Sequence, residues 1–560
     1  MNHDFITQIK KDNSLTNLTK IYDDISAKES AIWESIEANI TNWTTLFSQK
    51  ADAFSNNCAV IEVSTAISYS YADLESASNN IAAYIQTHIS DTNIGLCYPN
   101  SFLFLATLIA INKCGRLAIL FNNRDPETTI NTQAKEHNIH TILGKNVDIS
   151  MMLDQKCQAK PQHILNTTLE DPAFVIFTSG TSGKSKAALF SHRRMIGAGI
   201  AWSIRAAMTQ DDHCYIPLPL YHGNALAVAY SSVVFCGATA VLREKFSVSE
   251  FWHDINTYHC SHMIYIGELW RYLLNRHQGK NPNQSLKVIF GNGLTKSLWS
   301  QTIQHFAIEH VVEHFGATEM PAGALTNWTN QIGFCGFIPN THIDAKRLLL
   351  VDKHFTQVDT NRSGEAIFTI PKLPYRGYLD SSLDEAKICN SSWWRSGDLL
   401  QKDSAGFFTF IERMGDSYRY KGENIASVDV EAVLLESNLF EEVVVYGISL
   451  AHMDGKIGMA SLTPKGAFSC MQLTHIYHFL HTRLSSYAMP YIIKINTHAH
   501  QTTSTLKIQK AHLAKIALDE YKSVPHYLLL NEQYVPLDET HYVALQNNEI
   551  QFGTKSTHEK

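Results

Sequence analysis

Residues 174–186 constrain the fold of this chain more than any other stretch. The apolar run Phe174-Val175-Ile176-Phe177 suits a short buried strand. It breaks at once into Thr178-Ser179-Gly180-Thr181-Ser182-Gly183-Lys184-Ser185-Lys186, which holds two glycines, five hydroxyls and two lysines. Two readings fit those residues. One is a flexible polar loop. The other is a phosphate cradle, in which glycines let backbone N–H groups approach, hydroxyls donate hydrogen bonds and an ammonium offsets charge. A P-loop of the form GxxxxGK[ST] is excluded, because Gly183-Lys184-Ser185 would need glycine at position 178, where Thr178 stands.

A chain of 560 residues is too long for one core and predicts roughly two to four structural units. With 44% hydrophobic and 18% charged residues the composition is that of a globular protein, not a disordered one. The formal charge of −7 disfavours nucleic acid as a partner, since a phosphate backbone demands a basic face. Cysteines at 58, 97, 114, 157, 214, 236, 260, 335, 389 and 470 form no CxxC pair, which predicts reduced, mostly buried thiols in a cytoplasmic protein. The 27 histidines contain no HExxH, so no structural zinc is expected. A polar N-terminus gives no signal-peptide pattern. The most apolar stretch, residues 102–111, is about half a bilayer span and reads as a buried helix.

Residues up to about 50 read as short amphipathic helices carrying Ile32, Trp33, Ile36, Ile40, Trp43, Leu46 and Phe47 on the packed face. Residues 59–63 and 67–71 read as a strand pair, and 72–89 as a helix. Short strands at 94–96 and 117–121 flank the apolar helix. This alternation predicts α/β architecture, with parallel β-sheets flanked by crossover helices. Helices at 428–435 and 471–484 around a strand at 443–447 predict a second, smaller α/β domain.

Several stretches carry chemistry and leave two readings open. Tyr215 to His222 reads as a strand ending in two aromatics. The small residues Gly223, Asn224, Ala225 and Ala227 beyond it make either room for an apolar ligand or a packed helix start. Phe290-Gly291-Asn292-Gly293-Leu294 is a strand with a Gly-x-Gly turn, a weak signal alone. In Glu313-His314-Phe315-Gly316-Ala317-Thr318-Glu319 a carboxylate stands beside a hydroxyl, a natural pair for Mg²⁺ and phosphate oxygens, while Phe315 can stack on a purine. Asp398, in Trp394-Arg395-Ser396-Gly397-Asp398, offers two acceptor oxygens, or caps a helix. Asn122-Asn123-Arg124, after a strand, reads as a polar turn.

The loop resembles the T-S-G-T-[ST]-G-x-P-K-[GA] signature of the adenylate-forming superfamily, which holds acyl-CoA synthetases, adenylation domains and luciferases; Ser185 stands in place of its proline. The [YF]-G-x-T-E signature resembles 315–319, and Asp398 and Arg413 resemble the residues that hold the ribose. SHRR (191–194), YIGEL (265–269), FGNGL (290–294), KGEN (421–424) and YVPLD (534–538) are similar to the very-long-chain acyl-CoA synthetase, or fatty acid transport protein, branch. Leu506, where most relatives have glycine, also fits that branch.

The resemblance implies a large N-terminal domain, 1–413, that binds ATP and acyl group, and a small mobile C-terminal α/β domain, 414–560. It implies a nucleotide site built from Thr178, Ser179, Gly180, Thr181, Ser182, Gly183, Lys186, Gly291, Asn292, Gly293, His314, Phe315, Gly316, Asp398 and Arg413. Glu319 and Thr181 would hold Mg²⁺, while Lys507, Thr318, Glu319 and His222 would serve catalysis. Lys510 is expected on the surface, and a hinge is expected at 413–416, with Gly415 where relatives carry an acid. The activity implied is AMP-forming acid–thiol ligation of a long- or very-long-chain fatty acid, with ATP, Mg²⁺ and coenzyme A. Two alternatives stand: an adenylating enzyme for another acid or for loading a carrier protein, and a non-catalytic lipid-binding protein. A cytoplasmic location is expected, with room for peripheral membrane contact and a homodimer.

Overall fold

The computed structural model describes residues 4–149, 167–179, 185–276, 285–321, 323–370, 376–390, 392–414, 418–420, 423–450, 456–498, 500, 510–547 and 549–550. The chain folds into two compact units. The first holds residues 1–362, 367–396 and 402–409; the second holds 363–366, 397–401 and 410–560. Strands Ser363–Thr369, Trp393–Lys402 and Phe407–Arg413 are thus each divided between the two.

Within the first unit, one sheet runs Leu325–Asn327, His310–Phe315, Val288–Asn292, His262–Ile266, His213–Ile216, Thr239–Leu242, Cys58–Glu62, Ile67–Ser70. The six inner strands are parallel, and the two edge strands antiparallel. The second sheet runs Ile142–Leu143, Asn93–Leu96, Leu117–Leu120, Pro172–Ser179, Ser185–Ser191, and is parallel except for its last strand. Its strand Leu117–Leu120 is buried at every position, as the unbroken apolar sequence demands of a strand covered on both faces.

The apolar run at 102–111 is the helix Phe102–Lys113, in which every residue but Leu103 is buried. Even Lys113 is buried, its ammonium paired with Glu75 at 2.7 Å and bonded to Ser78 and Asn79. No helix among the described residues is long and apolar enough to cross a membrane.

The expected short N-terminal helices differ in length. Leu15–Asn39 is one 25-residue helix, capped by Ser14 and docked through Arg205–Glu29 and the Tyr22 hydroxyl on Asp344 at 3.0 Å. No glycine or proline interrupts residues 15–39, so nothing stops the helix. The strand expected over 215–222 stops at Ile216, because Pro217 and Pro219 cannot donate to a ladder.

The second unit carries a sheet ordered Phe440–Ile448, Ile457–Pro464, Ile492–Ile495, His526–Leu530, Gln533–Pro536, with helices Ser427–Glu436 and Cys470–His481. Leu434, Val445, Ile476, Leu480, Ile493 and Leu528 are among its buried core residues. Lys510 is not a free surface charge: its side chain is 16% exposed and pairs with Glu431 at 2.7 Å.

Candidate active site

Strands Pro172–Ser179 and Ser185–Ser191 pair antiparallel, with Thr178 opposite Lys186 and Ser179 opposite Ser185. The glycine-rich stretch therefore joins the two strands of a hairpin. A P-loop instead leads from a strand into a helix, so topology excludes it independently. Gly180, Thr181, Ser182 and Gly183 lie outside the described residues, as do Lys507 and the expected hinge positions 415 and 416.

A short segment closes on the edge of this hairpin. Leu189 donates its N–H to the Gly377 carbonyl and Leu379 donates to Ala187, both at 2.8 Å. That register sets the Tyr378 ring 5.8 Å below the Lys186 ammonium. The Tyr378 hydroxyl donates to Glu319 Oε1 at 2.7 Å. The neighbouring Thr318 is fixed through its carbonyl, which accepts from Arg194 Nη2 at 2.6 Å. Arg194 also donates to Leu189 and lies over the Phe190 ring. Lys186, Thr318 and Glu319 are thus brought together by two residues the sequence reading did not single out. The second arginine of the SHRR stretch and the tyrosine after Gly377 were the available signals. Glu319 is a hard carboxylate donor and suits Mg²⁺, whose remaining ligands would include phosphate oxygens and water.

Facing this group, Gly223 starts a π-helical turn, Asn224–Tyr230, that is buried from Ala225 onward. Such turns concentrate at functional sites. A Cβ on Gly223 would sit 3.8 Å from Thr318 Oγ1 and 4.0 Å from Ile176 Cδ1, so a methyl there would fit at ordinary contact distance beside the threonine. His222 is half-buried, its ring 4.6 Å from that of Tyr221. Asn224 Nδ2 donates to Asn292 Oδ1 at 2.7 Å, tying this segment to the Gly-x-Gly turn.

That turn ends strand Val288–Asn292, with Gly293 at φ +95°, where a side chain would be strained. His314 lies on the adjacent strand His310–Phe315. Burial against Trp202, ring centroids 4.7 Å apart, lowers the His314 imidazole to about 4, so it stays neutral. Phe315 is 8% exposed and one face of its ring stacks on Phe368, 6.1 Å away. Gly316 beyond it is exposed.

In the second unit, Asp398 lies inside strand Trp393–Lys402, not at a helix start, which removes the helix-cap reading. Its carboxylate is buried and accepts from Arg413 Nε at 3.2 Å. Gly397, at φ +77°, precedes it, and its N–H reaches Glu365 at 3.3 Å.

Residues 47–379 match the AMP-binding enzyme family. The chain is 33% identical over 402 residues to mouse long-chain fatty acid transport protein 1, a stretch covering 66% of this chain and 61% of that protein. It is 32% identical over 409 residues to a medium/long-chain-fatty-acid–CoA ligase of Mycobacterium tuberculosis, covering 69% of this chain and 66% of the relative. The match therefore spans somewhat under two thirds of either relative's length. Among solved structures, the o-succinylbenzoate coenzyme A synthetase of Bacillus subtilis in complex with AMP superposes with a TM-score of 0.70 at 22% identity, over 84% of this chain and 98% of that one. ATP-bound MatB of Rhodopseudomonas palustris gives a TM-score of 0.74 at 17% identity, over 86% of this chain and all of that one. Both share the fold described above. The chain belongs to the AMP-binding, adenylate-forming enzyme family.

Proposed function

We propose that the protein is an ATP-dependent acid–thiol ligase that activates a long- or very-long-chain fatty acid as its adenylate and transfers it to coenzyme A. The observation that carries this reading is the joining of Lys186, Tyr378 and Glu319 beside Thr318, with Gly223 next to the Thr318 hydroxyl. A cation, a carboxylate and a hydroxyl bordering a small-residue wall suit a phosphate group next to an acyl group. Small side chains at Gly223, Ala225 and Ala227, with the long-chain names of the relatives, support the fatty acid class.

In this reading a substrate carboxylate oxygen bonds to the α-phosphorus of ATP, and the bond to the β-phosphate bridge breaks, releasing pyrophosphate. The thiol then attacks the acyl carbon and AMP leaves. The protein's part is to position the reactants and to stabilise charge at the α-phosphate. Loop residues 178–183 and Lys186 hold the phosphates. The Gly291–Asn292–Gly293 turn and His314–Phe315–Gly316 border the adenine, Asp398 and Arg413 hold the ribose, and His222 borders the acyl carboxylate. Mg²⁺ at Glu319 and Thr181, when bound, offsets phosphate charge. Lys507, in the proposed small domain 414–560, supplies a point charge for adenylation. The protein works in the cytoplasm or against a membrane surface, where its lipidic substrate partitions.

The test is pyrophosphate release across saturated acids of increasing length, with and without coenzyme A. Each buried methylene is worth about 0.8 kcal/mol, so kcat/KM should climb steeply with chain length. A flat profile, or preference for short, aromatic or amino acids, contradicts the fatty acid reading. Thioester formed only on a carrier protein contradicts the coenzyme A reading.

A further inference from the structure

Glu313 is a buried carboxyl that the chemistry above does not use. It sits on strand His310–Phe315, opposite Gly291 of the parallel strand Val288–Asn292, and is 4% exposed. Beyond Asn292 the chain leaves the ladder, so the N–H groups of Gly293 and Leu294 need another acceptor. Glu313 Oε1 accepts both, at 2.5 and 3.2 Å. Its other oxygen accepts from the Tyr265 hydroxyl, itself fully buried on the next strand. Among the described residues it forms no ion pair with Lys, Arg or His. Burial without a cation raises the carboxyl to about 8.

An apolar residue would be the cheaper occupant of such a place if packing were all that mattered. The turn it holds has little freedom elsewhere. A Cβ on Gly291 would meet the Tyr265 carbonyl at 2.1 Å, and one on Gly267 would meet the Gly293 carbonyl at 2.0 Å. The same turn carries Asn292, whose side chain accepts from Asn224, the residue after Gly223. Glu313 therefore anchors the backbone just after Asn292, at Gly293 and Leu294.

We propose that Glu313 is a positioning residue for nucleotide binding, acting by holding the Asn292–Gly293 backbone that walls the adenine subsite. The proposal rests on the ATP-dependent reading above. It separates the carboxyl's geometry from its mere presence in the core, and three variants test that. Glu313→Gln keeps an oxygen for the two N–H groups and should leave the KM for ATP within about threefold of wild type. Glu313→Asp keeps the carboxyl group but withdraws it by one methylene. It should raise the KM for ATP about tenfold, the scale of one lost hydrogen bond to an ionisable acceptor, with kcat and the KM for the fatty acid changed less than threefold. Glu313→Ala should do at least as much where it folds, and Glu313→Asp carries the test where it does not.

Loss of active enzyme with an unchanged KM for ATP in Glu313→Asp would mean a purely structural role and overturns the proposal. So would a Gln variant as impaired as the Asp variant. Failure of wild type to bind ATP in equilibrium dialysis overturns the functional reading and this one together; ATP-dependent activity with an unmoved KM overturns this one alone.

Discussion

Gly223 offers a prediction in which stability and activity move in opposite directions. Its backbone is helical, φ −57° and ψ −39°, so it has no conformational need to be glycine. Replacing such a glycine with alanine stabilises by about 0.4–1 kcal/mol, through the narrower unfolded ensemble. The added methyl would meet only Thr318 Oγ1 at 3.8 Å and Ile176 Cδ1 at 4.0 Å, ordinary contact distances, so no strain opposes that gain. If Gly223 lines the acyl side, the same methyl displaces substrate of equal size. The loss is then about 0.8 kcal/mol or more of binding, roughly a fourfold fall in kcat/KM for the acid. Gly291→Ala is the contrast, because its Cβ would overlap the Tyr265 carbonyl at 2.1 Å. That variant should lose about 1–3 kcal/mol or more. Urea titrations paired with acid-dependent rates decide the matter. A destabilised Gly223→Ala, or one with unchanged kinetics for every acid, would refute the argument that this glycine is kept for space.

Three further outcomes follow from the same geometry. Tyr378→Phe removes the hydrogen bond to Glu319 and should raise the Mg²⁺ concentration for half-maximal rate by about three- to tenfold, leaving the fold intact; an unchanged Mg²⁺ titration contradicts the assignment of Glu319. Glu313 titrates near 8 in the folded chain, above the ordinary glutamate value of 4.5, so the folded state keeps a proton that the unfolded state has released between those limits. Stability should therefore fall as pH rises through that window, by at most about 1.4 kcal/mol per unit from this group, and Glu313→Gln should lack that component in urea titrations at pH 6, 7 and 8. Lys507→Ala should lose about 10²–10³ in acyl-adenylate formation, yet make thioester from supplied acyl-adenylate at nearly the normal rate. Equal loss in both steps would assign Lys507 a structural role instead.

The parallel sheets, the buried helix at 102–113 and the strand leading into the glycine loop were legible because unbroken β-branched and apolar runs leave few alternatives to burial. The early end of the strand at Ile216 was written in Pro217 and Pro219, but the aromatic pair Tyr221-His222 drew the expected strand past them. The 25-residue helix was underestimated because its charged face dilutes the periodic signal that packing later rewards. Asp398 could not be placed from sequence, since a Gly-Asp pair suits a turn as well as the strand it occupies. Lys510 was misjudged for a related reason: its partner Glu431 lies 79 residues earlier in the chain, and local reading does not see such pairs. Most of the site's internal support was equally hidden. Tyr378 reaching Glu319, Arg194 reaching Thr318 and Glu313 reaching Gly293 are all long-range hydrogen bonds.

The most direct test of acyl-adenylate chemistry is the fate of the substrate's own oxygen. A fatty acid labelled with heavy oxygen in its carboxylate is incubated with the protein, ATP, Mg²⁺ and coenzyme A, and the products are analysed by mass spectrometry. Attack of the carboxylate on the α-phosphorus, followed by thiolysis at the acyl carbon, leaves one labelled oxygen in AMP and one in the thioester. Label in inorganic phosphate or pyrophosphate, or ATP cleaved without any label reaching AMP, would contradict the account.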